Sequence, residues 1–391
     1  MRVLISSVGT RGDVQPVIAL ALEVRKLGHD VRMCIPPNFT GWAAGLGFEA
    51  RPIGIEMRAP RPGAPPLVIP DLIADQFKVV GAAAEGCSLI VGGGAHQYAA
   101  RSIAELRGIA FVAAVYAPVS LPSADLAPVD QSEGVSTPEE ISKAWQATRS
   151  AWNQRSIERV NANRAQLGLA PVDDVLGHIL GLSPWLAADA ALGPAPATPG
   201  IDVVQTGAWL LPDMSPLAPE LEAFLDRGEA PVYLGLGSMP VTTADANRTL
   251  IDAARAVGRR VILSKGWADL DLIDAASDCI AIGDVNQQKL FPRLAGVVHH
   301  GGAGTTIAAA RAGVPQVVTP MFGDQFYWGR RVRDLGIGLT APFAGLSAET
   351  LAPMLHKALQ PAIVTRALAN AGRITLDGAA IAARRLGEVY G

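Results

Sequence analysis

Short apolar runs closed by glycine alternate with amphipathic segments along nearly the whole chain. Val3 to Ser6 is the first such run, and SSVGTRGDVQP, from Ser6 to Pro16, is a Gly-punctuated turn. Ile18, Leu20, Ala21, Leu22, Val24 and Leu27 then recur near helical spacing until Gly28 stops the helix. Asp30 to Ile35 reads as a second strand, and Phe48 to Pro52 leads into a third. Ser88 to Val91 predicts a strand ending in Gly92-Gly93-Gly94-Ala95-His96, with a helix through Ala104 and Leu106 and a further strand at Ala110 to Val115. Tyr116 to Pro138 reads as loop, and the helical segment after it carries Trp145 and Trp152 and reaches Leu167.

The pattern pauses and then restarts. Leu192 to Pro199 (LGPAPATP) is a Pro-rich stretch of the kind that links domains, which predicts an N-terminal domain over 1–200 and a C-terminal one over 201–391. Beyond it, a helix from Pro219 to Asp226 precedes strands at Pro231 to Gly235, Val261 to Leu263 and Cys279 to Ile282. Each of these strands runs into a cluster of Gly, Ser, Trp, Asn or Gln. Gly296 to Gln325 (GVVHHGGAGTTIAAARAGVPQVVTPMFGDQ) is a strand–loop–helix–strand unit whose helical segment spans Thr305 to Arg311. A strand is expected at Leu335 to Leu339. The last helical segment, Ala379 to Tyr390, lacks a following strand and is expected to pack back on the N-terminal domain.

Alternating strands and helices give an α/β class, and 391 residues suit two domains rather than one core. Hydrophobic residues make up 49% and charged residues 18%, which excludes a disordered chain. A net charge of −3 offers no basic surface for nucleic acid or an anionic membrane. Cys34, Cys87 and Cys279 are odd in number and far from any metal-ligand spacing, which fits a reducing cytoplasm. No apolar run approaches the ~18 residues of a membrane span, and with Met1-Arg2 passing straight into Val3-Leu4-Ile5 no leader is expected.

Two loops carry candidate chemistry. In Gly296 to Gln325 the glycines admit a close ligand, and the helix start points unpaired N–H groups at the loop, an arrangement that favours phosphate. His300 adds a donor and Thr305 a hydroxyl, so a diphosphate site is expected. Four polar strand ends in one domain suggest a polar ligand across the sheet edge. The first loop, Gly9-Thr10-Arg11-Gly12, lacks G-x-G-x-x-G spacing, and no acidic residue ends the second strand, which argues against a dinucleotide cofactor. It supplies Asp13 at a helix start, as helix cap or as catalytic carboxylate. Asp269-Leu270-Asp271 spells a D-x-D of a kind that can hold a metal, but it follows Gly266-Trp267 in an expected loop or helix start, and no metal or other cofactor is expected.

With these motifs the chain resembles the GT-B-fold nucleotide-sugar glycosyltransferases, two Rossmann-like domains facing a central cleft. HHGGAGT (His299 to Thr305), GVPQVV (Gly313 to Val318) and GDQ (Gly323 to Gln325) resemble the donor signature of the inverting natural-product and sterol enzymes. GTRGDVQP (Gly9 to Pro16) resembles their acceptor-domain loop. TGAW (Thr206 to Trp209), GWADL (Gly266 to Leu270) and DVN (Asp284 to Asn286) are most like the vancomycin-group enzymes, and FGDQFYWG (Phe322 to Gly329) is closer to the sterol glucosyltransferases. The resemblance implies Asp13 as general base, assisted by Thr10. Arg11, Ser238, His300, Gly302, Ala303, Gly304 and Thr305 would contact the donor diphosphate, and Asp324 and Gln325 the sugar hydroxyls. Val285 and Gln287 would lie at the nucleoside. The plant pattern has a Trp near Asp284, so Trp267 is the candidate here for stacking on the base.

The implied reaction is transfer of a hexose from a UDP- or TDP-sugar, with inversion, to a hydroxyl of a hydrophobic acceptor of glycopeptide, polyketide or sterol type. The acceptor hydroxyl needs a positioned base, and burial against apolar acceptor atoms would raise an Asp above its usual pKa of about 3.9. Asp324 and Gln325 suit the hydroxyls of glucose better than a dideoxy amino sugar. Met57 to Pro70 and Tyr116 to Pro138 are expected to meet the acceptor. A domain-closing motion is expected, since Asp13 and His300 fall in different domains. The alternatives are a GT-B-fold UDP-sugar epimerase, a non-catalytic helper of a partner glycosyltransferase and, least favoured, a nicotinamide-dependent dehydrogenase.

Overall fold

A computed structural model describes residues 1–56, 71–129, 134–238 and 246–391. Met57 to Pro70, expected to meet the acceptor, lies outside the described residues, as do residues 130–133 of the second such segment. The chain divides into two compact units, the first comprising Met1–Ala190, Pro194–Leu211 and Thr375–Gly391, the second Ala191–Gly193 and Pro212–Ile374.

In the first unit the strands are β1 (Arg2–Ser7), β2 (Asp30–Ile35), β3 (Glu49–Pro52), β4 (Leu89–Gly93), β5 (Ala110–Val115), β6 (Trp185–Leu186) and β7 (Val204–Gln205). They pair in parallel in the order β3-β2-β1-β4-β5-β6-β7. Helices cover both faces, so β1 from Val3 onward and all of β4 are buried, and Val3 to Ile5 and Leu89 to Val91 read as unbroken apolar runs. The winding reverses between β1 and β4. At such a switch point the loops leaving the strand ends part and leave a crevice. The loop after β1 leads into the helix Arg11–Lys26, which carries Asp13 in its first turn.

The second unit repeats the plan with β8 (Val232–Gly235), β9 (Val261–Ser264), β10 (Cys279–Ile282), β11 (Gly296–His299), β12 (Gln316–Val318) and β13 (Gly338–Thr340). Their order is β10-β9-β8-β11-β12-β13, again parallel, with the reversal between β8 and β11. The loop after β11 holds His300. Both stretches singled out for chemistry therefore leave a switch-point strand.

Several elements differ from the sequence expectation. The donor-loop helix starts at Ala303, not Thr305, because Gly302 already serves as its N-cap. The strand expected at Leu335 to Leu339 lies at Gly338–Thr340: the preceding helix runs on to Asp334, and Gly336, at φ +67°, turns the chain out of it. Leu192 to Pro199 contains a crossing between the units, at Gly193 to Pro194, and its later residues are hydrogen-bonded into the first unit. Ala195 N donates to Gln205 Oε1 (3.0 Å), Ala197 N donates to Asp125 Oδ1 (2.9 Å), and Ala197 O accepts from Ala124 N (2.8 Å). The helix Gly378–Tyr390 packs on Arg11–Lys26 within the first unit. Among the described residues no helix is long and apolar enough to cross a membrane.

Candidate active site

Parallel pairing sets the donor-side geometry. Ser264 is in register with Ile282 and with Gly235, His299 with Gly235 and Val318, and Val318 with Thr340. The polar residues that follow these strand ends therefore form a row along one sheet edge. From β10 to β12 it crosses four strand spacings, about 19 Å at about 4.8 Å each.

Glycines bring the loops into contact. Gly237 sits at φ +62°, and a Cβ there would stand 2.5 Å from His300 Cε1. A Cβ on Gly266, at φ +55°, would stand 2.4 Å from Gly237 O, which accepts from Trp267 N at 3.0 Å. Ser238, Trp267 and His300 thus share one small region, with Ser238 and Trp267 half-buried. The backbone of Gln325 reaches the same loop, lying 3.0 to 3.3 Å from where a Gly301 Cβ would be.

His300 is buried, and its Nδ1 has no hydrogen-bond partner among the described residues. Burial pushes its imidazole down to about 4, so it is neutral near pH 7 and acts as a donor or acceptor rather than as a charge. The adjacent His299 is fully buried, paired with Gln316 Oε1 at 2.9 Å, and pushed down to about 3, chiefly by burial. It braces the loop from below. Beside His300 starts the helix Ala303–Arg311, whose N-cap Gly302 provides no side-chain acceptor. Its first-turn N–H groups, at Ala303, Gly304 and Thr305, lack the usual Asp, Ser or Thr cap. The arrangement suits an anion.

Asp324 and Gln325, the pair expected at the sugar, are partly committed within the protein. Asp324 Oδ2 accepts from Trp328 Nε1 at 2.9 Å, and Gln325 Oε1 accepts from Met321 N at 2.9 Å and Phe322 N at 3.3 Å. Burial raises the Asp324 carboxyl, and the Trp328 hydrogen bond opposes that shift. The Gln325 side chain therefore shapes its own loop. Val285 packs at the edge of a buried cluster, and Gln287 opens the short helix Gln287–Leu290, capped by Asn286.

In the first unit, Asp13 is both cap and candidate base. Thr10 and Asp13 form a capping box: Thr10 Oγ1 accepts from Gly12 N at 3.3 Å, while Thr10 N donates to Asp13 Oδ2 at 2.8 Å. The carboxylate lies directly over Gly9, where a Cβ would come 2.1 Å from Oδ2, and it nears Gly94 on the neighbouring strand end. Arg11 is engaged within this unit: its Nε donates to Gln15 Oε1 (3.2 Å), and its guanidinium lies 5.4 Å from the centre of the Trp42 ring.

Residues 3–121 match the family described as the glycosyltransferase family 28 N-terminal domain, and residues 248–380 match the erythromycin biosynthesis protein CIII-like C-terminal domain. Vancomycin aglycone glucosyltransferase of Amycolatopsis orientalis is 47% identical over 99% of this chain and 97% of its own length. The chain belongs to the vancomycin-group glycosyltransferases. The dTDP-epi-vancosaminyltransferase of the same organism is 42% identical, over 94% of this chain and 92% of its own. Among solved structures, the glycosyltransferase of kitacinnamycin aligns with a TM-score of 0.75 at 18% identity, covering 100% of this chain and 99% of that one. Glycosyltransferase VinC in complex with DTDP aligns with a TM-score of 0.66 at 20% identity, covering 99% and 98%. The fold is GT-B.

Sequence reasoning passed over several residues that shape this glycosyltransferase site. Gly9, Gly237 and Gly266 give clearance that only the folded loops reveal. Trp328 was legible in principle, because a Trp four residues after Asp324 on a helix faces it.

Two expectations follow for this vancomycin-group enzyme. Gly237→Ala adds a Cβ against the His300 ring at a positive φ. It should weaken nucleotide-sugar binding by about tenfold through displacement of His300, at a backbone-strain cost of about 1 kcal/mol or more. Donor titration by calorimetry measures it, and unchanged affinity would separate His300 from the donor. The second concerns acid. His178, His299 and His300 all have folded pKa values below the ordinary 6.5, at about 4, 3 and 4, chiefly through burial. The unfolded chain binds their protons first, so their stabilising contribution is complete above pH 6.5 and is lost as pH falls toward 4. The raised Asp324 carboxyl acts in the opposite sense and offsets part of the loss. Tm should be flat from pH 8 to 7 and fall from pH 6.5 to 4, with net proton uptake on unfolding over that lower range. A flat profile over that lower range contradicts it.

Proposed function

We propose that the chain transfers a hexose, glucose in the first instance, from a UDP- or TDP-sugar to a hydroxyl of a hydrophobic natural-product acceptor. Glycopeptide aglycones are the acceptor class named in a relative 47% identical to this chain. The observation that carries the reading is the donor edge of the second unit. An uncapped helix start at Ala303 and the buried His300, whose Nδ1 lacks a partner among the described residues, adjoin a row of polar strand ends long enough for a nucleoside diphosphate sugar. Ser238, Gly302, Ala303, Gly304, Thr305 and His300 bind the diphosphate, Asp324 and Gln325 the sugar, and Trp267, Val285 and Gln287 the nucleoside. Arg11, held at Gln15 and Trp42, serves the acceptor-side loop at least as well as the diphosphate.

Asp13 takes the proton of the acceptor hydroxyl as its oxygen attacks the anomeric carbon. The bond to the diphosphate oxygen breaks on the opposite face, so the centre inverts and an α-linked donor yields a β-glycoside. The charge that develops on the diphosphate meets the helix N–H groups and the His300 ring, an electrostatic role that calls for no metal ion. Turnover should accordingly persist in excess EDTA, and loss of rate restored by Mg²⁺ would overturn that part.

A thermal-shift screen of UDP- and TDP-sugars, followed by transfer assays on vancomycin aglycone, tests the whole. A donor at about 100 times its Kd should add about 2.7 kcal/mol to stability. Failure of every nucleotide sugar to raise Tm would remove the donor site, and conversion of UDP-glucose alone to an epimer would replace the transferase reading.

A further inference from the structure

The TGAW segment, Thr206 to Trp209, takes no part in the chemistry above, yet it is buried and built with care. Trp209 Nε1 donates to Thr206 Oγ1 at 3.0 Å. Gly207, at φ +84°, lets this turn touch the chain-end helix: a Cβ there would meet Gly378 Cα at 3.2 Å. The indole so fixed meets the Tyr116 ring edge-on, with centroids 6.3 Å apart and planes at 73°. Tyr116 follows the last residue of β5, and its hydroxyl donates to the main-chain oxygen of Asp13 at 3.0 Å. Ser7, the last residue of β1, donates its Oγ to the same oxygen at 3.1 Å.

The surroundings give the ring little freedom. A Cβ on Gly93 would stand 2.5 Å from the Tyr116 hydroxyl and 2.4 Å from Val17 Cγ1, so glycine at that strand end is what admits the phenol. Burial and the nearby Asp13 charge raise the Tyr116 pKa well above 10, against a smaller opposing effect of Ser7, so the phenol remains a donor throughout the neutral range.

We propose that Tyr116, braced by the Thr206–Trp209 turn, is a positioning residue for the base. An Asp carboxylate sits only two bonds from its Cα, so its location follows the main chain closely. Two hydroxyls from two strand ends fix the Asp13 carbonyl, while Thr10 N orients the carboxylate at 2.8 Å. Tyr116 touches neither reacting group. It acts through the peptide that Asp13 belongs to, and the proposal rests on Asp13 being the base.

Tyr116→Phe keeps the ring against Trp209 and removes only the hydroxyl. With UDP-glucose and vancomycin aglycone as substrates, kcat should fall about 10- to 100-fold, the scale of a small misplacement of a reacting group. The KM for UDP-glucose should stay within about twofold, since the donor residues lie in the other unit. The decisive measurement repeats the change in an Asp13→Asn background, where the residual rate should be nearly unaffected because the two residues act as one device. The same fractional loss in both backgrounds, or wild-type kcat in Tyr116→Phe beside a dead Asp13→Asn, overturns the positioning role. Full turnover in Asp13→Asn instead overturns the base assignment itself, a different result. Ser7→Ala removes the second hydroxyl from the same oxygen and should show the same non-additivity. It carries the test on its own where Tyr116→Phe folds poorly.

Discussion

Asp13→Asn is expected to lower kcat by about 10² to 10⁴-fold, the usual contribution of a positioned general base, while nucleotide-sugar affinity stays as it was. The amide is nearly isosteric with the carboxylate and retains an oxygen that can accept from Thr10 N, so the capping box at the start of Arg11–Lys26 survives. What the amide cannot do is take a proton. Steady-state kinetics beside calorimetric donor binding measures the two quantities separately, and near-normal turnover would remove Asp13 from the role. Gly9→Ala approaches the same group sterically. Its Cβ would stand 2.1 Å from Asp13 Oδ2, at φ +143°, so the carboxylate has to move and kcat should fall in the same direction with the chemistry of Asp13 untouched.

His300→Ala is expected to cost about 10² to 10³-fold in kcat/KM for the donor, comparable with loss of one electrostatic contact to a developing anion in other enzymes. The imidazole is neutral at working pH, since burial holds it down to about 4, so its contribution is a directed hydrogen bond rather than a charge. Two consequences separate this from a general structural defect. Donor affinity should weaken in calorimetry while Tm, compared at pH 8, changes little. The acid instability between pH 6.5 and 4 should also lessen, because one buried histidine no longer resists protonation. Unchanged donor affinity would count against the diphosphate role.

The elements most legible in the sequence were those fixed by local pattern. β2 at Asp30–Ile35, β5 at Ala110–Val115 and β10 at Cys279–Ile282 coincide with their apolar runs. The donor helix starts two residues before its periodic pattern, because Ala303 and Gly304 have no apolar periodicity and only the Gly302 cap geometry marks the start. The Pro-rich composition of Leu192 to Pro199 suggests a linker, and the chain does change unit at Ala191 and Pro194, but Ala195 N and Ala197 N are tied into the first unit and the chain leaves that unit again at Pro212. Composition reports the prolines but not where the other backbone donors end up.

By itself the sequence determined the α/β class, the two repeated halves, the His300 and Asp13 loops and the family to which they belong. These depend on period, turn chemistry and motif spacing, all carried within a few tens of residues. Tertiary structure alone decided which strand ends share an edge, and so that Gly237, Trp267 and His300 meet although β8 and β11 are far apart in the chain. It alone decided that Tyr116 would hold the carbonyl of Asp13 across 103 residues. Parallel strands are joined by long crossovers, so their neighbours are chosen by the winding of the whole sheet, and no local run of residues encodes that choice.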